Sequence, residues 1–124
     1  MRIMKDGNVV YNKGKAFAIR IVRLKQWICK ETKEYSLADQ ILRSGTSIGA
    51  NISEAVDAVS DRDFINKLNI SLKECSETKF WLDILMETNL INRAIYESMM
   101  EDCNELYALL TSIIKTMNNK LKHK

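Results

Sequence analysis

Apolar residues recur at helical spacing in four successive segments, and nowhere do they alternate as a half-buried strand would require. The first segment carries Phe17, Ile21, Leu24 and Ile28 as its stripe, widened by Ala18 and Val22, with Asn12 as the expected N-cap. The second runs from a cap at Ser36, where Asp39 three residues on imitates a capping box, to about Val59. Its apolar face is Ile41, Ile48, Ile52 and Ala55, with Leu37 and Val59 extending it. The third opens on Ser60 and Asp63 and carries Phe64, Leu68, Leu72, Cys75, Leu82 and Met86, flanked by Ile65, Trp81 and Leu85, to near Asn89. Asn92 caps the fourth, with Ile95, Met99, Cys103, Leu106, Leu110, Ile113 and Met117. Connections of a few residues force neighbouring helices to run antiparallel. The expected fold is therefore all-α: an antiparallel up-and-down four-helix bundle. It forms one domain over residues 1–124, with 1–11 as a lead-in and 120–124 as a frayed basic tail.

The second segment organises the rest. Gly45 and Gly49 lie one turn apart beside its apolar face. Each costs a helix roughly 1 kcal/mol relative to Ala, so two together imply a very close neighbour. Gln40, Arg43, Ser47, Asn51 and Glu54 form a polar seam along its flank. Counting outward from the turn near Ser60, a residue before the turn lies level with one as far after it. Arg43 then faces Glu77, Asn51 faces Asn69, and Glu54 faces Asn66. Arg43 and Glu77 read as a buried ion pair that fixes register. Helices two and three are apolar on more than one side, which points to self-association.

Composition supports helices throughout: no Pro, four Gly, and abundant Leu, Ile, Lys and Glu. The net charge of +3 is small, but its distribution is not even. Residues 1–35 hold nine Lys and Arg against three Asp and Glu. Lys13, Arg20, Arg23 and Lys30 share one face of the first helix with Trp27 beside them. Such a face can track a phosphate backbone while the aromatic ring stacks on a base. The alternative is a solvated basic surface, with Trp27 packed against another helix or subunit.

Candidate chemistry is sparse. His123 is the only histidine and sits in the tail. Ser-His or Cys-His nucleophile pairs are thereby disfavoured. Glu74-x-x-Glu77 lacks the histidine that two-iron bundles use, so no metal or other cofactor is expected. No Gly-rich loop between strand and helix cradles a phosphate. Cys29, Cys75 and Cys103 form no paired spacing and read as free thiols of a reducing cytoplasm. The first residues have no apolar signal core, and no uncharged run approaches a membrane span. The chain is expected not to be an enzyme.

Gln40-Ile41-Leu42-Arg43-Ser44-Gly45-Thr46-Ser47-Ile48-Gly49-Ala50-Asn51-Ile52-Ser53-Glu54-Ala55 resembles the signature of bacterial four-helix-bundle proteins called ribosomal RNA intervening-sequence proteins. Asp63-Phe64-Ile65, Lys67-Leu68, the run from Lys73 through Thr78, and Trp81-Leu82 fit as well, as do Phe17-Ala18, Arg20-Ile21-Val22 and Leu24. Many relatives carry Pro where Gly49 stands and Gly where Ala55 stands. The resemblance implies small cytoplasmic bundles that assemble as homopentamers. It also extends to the accessory protein of diversity-generating retroelements, a basic pentameric barrel that binds a reverse transcriptase and nucleic acid. It carries over no catalytic residues and makes Arg43, Ser47, Asn51, Glu54 and Glu77 architectural. The expected role is a ring-forming, non-enzymatic adaptor for structured RNA or DNA, with or without a protein partner. The alternative is a scaffold that binds only protein.

Overall fold

The computed structural model describes residues 8–123. Four helices follow one another: α1 (Val9–Thr32), α2 (Tyr35–Val56), α3 (Asp61–Glu87) and α4 (Arg93–Lys122). Neighbours in sequence pack side by side, and α1 closes the bundle against α4 through far fewer close approaches. The core runs the length of the bundle as one cluster that includes Phe17, Ile21, Ile28, Ile41, Ile48, Ile52, Leu68, Leu82, Leu106 and Leu110.

Two of the four starts are those the sequence predicts. The Ser60 hydroxyl accepts from the Asp63 N–H at 3.0 Å, and Asn92 Oδ1 accepts from the Ile95 N–H at 2.8 Å. The other two are displaced. Asn8, not Asn12, caps α1, its Oδ1 accepting from the Tyr11 N–H at 3.0 Å. Starting a turn earlier adds Val10 to the core, so the lead-in ends before residue 9; its first seven residues lie outside the described ones. Ser36 caps nothing. Lys33 turns left-handed at φ 60°, and α2 resumes at Tyr35 after Glu34, which makes no side-chain cap. The reversal is too short to reach Ser36. At the far end α4 continues through Lys122, so most of the expected tail is helix.

The stripes also need amendment. Val22 is exposed, and Val59 is 93% exposed because α2 has ended at Val56. Ile114, absent from the expected stripe, is buried beside Leu110.

The helix glycines mark where α1 crosses α2. A Cβ at Gly45 would lie 2.6–2.9 Å from three side-chain carbons of Ile21. One at Gly49 would lie 2.9 Å from the Gly14 carbonyl oxygen, and one at Gly14 3.3 Å from Gly49 Cα. The close neighbour that Gly45 and Gly49 require is thus α1 of the same chain, and Gly14 is its unpredicted counterpart.

Between α2 and α3 the approach uses small polar residues. Buried Ser71 donates to the Ile48 carbonyl at 2.8 Å, and buried Thr78 donates to Ser44 Oγ at 3.0 Å. Each buried hydroxyl therefore has a partner, as burial requires.

Candidate nucleic-acid interface

Helix α1 holds Lys13, Lys15, Arg20, Arg23, Lys25 and Lys30 against the single acid Glu31. The structure divides these cations into two groups. Lys13 Nζ sits 3.0 Å from Glu105 Oε1. Arg20 donates to Asp102 Oδ2, and its Nη2 donates to Ser98 Oγ at 2.9 Å. Both side chains therefore face α4 and help to close the bundle. Lys25 leans toward Asp39 of α2 at 3.9 Å. Lys15, Arg23 and Lys30 are exposed on the outer side and have no ion-pair partner among the described residues. Of the four predicted binding residues, Arg23 and Lys30 stay together on that outer face, while Lys13 and Arg20 turn inward. Lys15 was missed. Its spacing from Arg23 and Lys30 was legible, but the position of α4, which separates the two groups, was not.

Exposed apolar side chains accompany the free cations. Ile19, Val22 and Trp27 lie on or beside this face, and Val9 is exposed at its start. On the other helices the large exposed apolar groups are Tyr35 on α2 and Ile70 and Phe80 on α3. Exposed apolar surface thus falls on α1 as well as on helices two and three.

The polar seam forms where the register placed it, but at the surface. Arg43 Nη1 donates to Glu74 Oε2 at 3.1 Å, and Nη2 donates to Glu77 Oε2. Trp81 Nε1 donates to the same Glu77 oxygen at 2.9 Å. The Arg43 side chain is 50% exposed, so the pair is not buried: the two helices hold it at the rim of their contact. Ser47 donates to the Arg43 carbonyl at 2.6 Å, and Asn51 Nδ2 donates to the Ser47 carbonyl at 2.8 Å. Both amide and hydroxyl thus bond back along α2, and Asn51 makes no hydrogen bond to the expected partner Asn69. Glu54 pairs with Lys67 at 2.9 Å, one residue from the predicted partner Asn66. That hydrogen bond and charge raise the Lys67 pKa. Among the described residues no group of three or more His, Cys, Asp or Glu is placed to hold a metal ion. No helix there is long and apolar enough to cross a membrane.

The described residues thus form a four-helix bundle with one basic outer face and a polar rim. The chain belongs to the 23S rRNA-intervening sequence protein family, whose sequence model matches residues 6–112. Among solved structures it is similar to a protein of unknown function from the S23 ribosomal protein family of Bacteroides thetaiotaomicron. The two are 55% identical, with 86% of this chain and 99% of that one covered and a TM-score of 0.85. Comparison with curated proteins gave no match.

Proposed function

We propose that this protein is a non-enzymatic oligomeric adaptor that binds nucleic acid, structured RNA or DNA, through the outer face of α1. The observation that carries the reading is the set of exposed cations Lys15, Arg23 and Lys30, with six cations against one acid along the whole helix. Cations not engaged by acids attract a phosphate backbone, and release of its counterions drives binding. A homopentameric ring, the assembly implied by the family resemblance, would repeat this face around an axis. Weak copies would then act together on one polyanion. The three free thiols suit a cytoplasmic setting.

The test is fluorescence anisotropy of labelled duplex RNA and DNA titrated with the protein at several salt concentrations. Affinity that falls steeply with salt, with little preference for sequence, supports the reading. No binding at low salt by a correctly folded oligomer removes it. One observation favours a second reading, a scaffold that binds only protein: Ile70 and Phe80 are exposed on α3, which is not the cationic helix.

A further inference from the structure

Trp27 differs from the other tryptophan. Its counterpart Trp81 is tied to Glu77, whereas the Trp27 indole N–H has no partner among the described residues, and the residue is 40% exposed. It forms one wall of an open cleft of about 300 Å³, completed by Asn89, Leu90, Ile91 and Asn92 of the α3–α4 turn. Ile91 is buried and Leu90 half-buried, so they give the cleft an apolar floor. Asn89 and Asn92 are exposed at its edge. Asn89 is held left-handed at φ 63°, and the Leu90 N–H donates to the Leu85 carbonyl at 2.9 Å, which fixes the turn against the end of α3. Asn92 uses its carbonyl oxygen to cap α4. Its side-chain NH₂ has no partner among the described residues and can donate outward.

The surroundings carry the charge a nucleotide needs. Arg23 and Lys30 are four residues before and three after Trp27, so each is its neighbour on the helix surface. Glu31, four residues after, is the one acid in reach along α1. A flat aromatic wall, an apolar floor, two amides at the rim and a cation on either side match the parts of one nucleotide. The ring accepts the base face, the amides meet base-edge donors and acceptors, and the cations meet phosphates. A base inside a duplex offers none of its face, so only an unpaired base can enter.

We infer that the cleft beside Trp27 receives one unpaired base of single-stranded nucleic acid, with Arg23 and Lys30 holding the flanking phosphates. This rests on the reading of the α1 face as a nucleic-acid interface and gives that interface a preference for single-stranded segments. The cleft is open, so stacking selects for the base's flat face more than for its identity.

The experiment uses the full chain with Trp81→Phe, which leaves Trp27 as the sole tryptophan. Trp27 emission and the anisotropy of a labelled oligouridylate are followed in one titration at low salt, with a duplex RNA of equal length in parallel. The inference expects saturable quenching of Trp27 that tracks the anisotropy. It also expects Trp27→Ala to weaken single-strand binding about tenfold or more, the size of one lost stacking contact. Trp27→Phe should restore most of it, and duplex binding should be unchanged in both. Should Trp81→Phe fail to fold, an oligonucleotide carrying 2-aminopurine reports stacking on the parent protein by its own quenching. Binding of both RNAs with no quenching and no effect of Trp27→Ala overturns the cleft but leaves the basic-face reading standing. Equal weakening of single-strand and duplex binding makes Trp27 structural and likewise overturns it. No binding to either RNA removes both.

Discussion

Gly49 has little freedom to change. A methyl group there would meet the backbone of Gly14, which cannot rotate away as a side chain could. Gly49→Ala gains about 1 kcal/mol of helix propensity but overpacks a crossing whose usual penalty is about 1–3 kcal/mol. The expected result is a net loss, read as a lowered urea midpoint with unchanged helicity at zero denaturant. Gly45→Ala should also lose stability, because fully buried Ile21 is β-branched and its Cγ1 and Cγ2 cannot both swing clear. The need for a close neighbour was legible because Gly45 and Gly49 repeat at one turn. Gly14 was not, since a single glycine in a stripe has no spacing to announce it. Arg43 shows a second limit. Counting from the turn found Glu77, one of its two partners on α3, but spacing fixes register and not depth. An exposed pair is worth about 0–1 kcal/mol, so Glu77→Ala should cost about 1 kcal/mol and Glu74→Ala no more. A double-mutant cycle of Arg43→Ala and Glu77→Ala measures the coupling directly. The thiols differ in burial. Cys75 and Cys103 are fully buried, with Cys103 Sγ 3.5 Å from the Cys75 carbonyl, while Cys29 is half-buried. The hydrogen bond with Cys103, together with burial, pushes the Cys75 pKa upward. A thiol reagent at neutral pH should therefore label Cys29 in the native protein and the other two only after unfolding.

At the scale of helices, the caps separate what is local from what is not. Ser60 and Asn92 were legible because each serves a helix that follows a genuine turn. Asn8 and Tyr35 were not, because core packing of Val10 and the two-residue reversal at Lys33 set those starts. The same distinction governs the cations of α1. Periodicity placed Lys13 and Arg20 near Arg23 and Lys30, but the acids that draw them away belong to α4, whose contact with α1 no local pattern encodes. Arg20→Ala removes contacts to both Asp102 and Ser98, and both side chains of the ion pair are partly exposed. A loss of about 1 kcal/mol is expected in urea unfolding, against less than about 0.5 kcal/mol for Arg23→Ala.

On the scale of the whole molecule, net charge gives a poor account of the field. The chain is only +3, yet the outer side of α1 presents Lys15, Arg23 and Lys30 with Glu31 as the only acid of that helix. Acids elsewhere either pair with cations or lie on other helices. Repetition of the α1 face in a ring would multiply a field that one copy projects only about 8 Å at physiological salt. The most direct measurement compares two charge-altered proteins in the same salt series by RNA anisotropy, with urea unfolding of each. Arg23→Glu with Lys30→Glu should abolish binding and leave stability and oligomeric size unchanged. Lys13→Ala with Arg20→Ala should lower stability and leave the salt dependence of the remaining binding close to that of the parent. Undiminished binding by the Arg23 and Lys30 protein, or a greater loss of binding in the Lys13 and Arg20 protein, would contradict the assignment of the outer face of α1 as the interface.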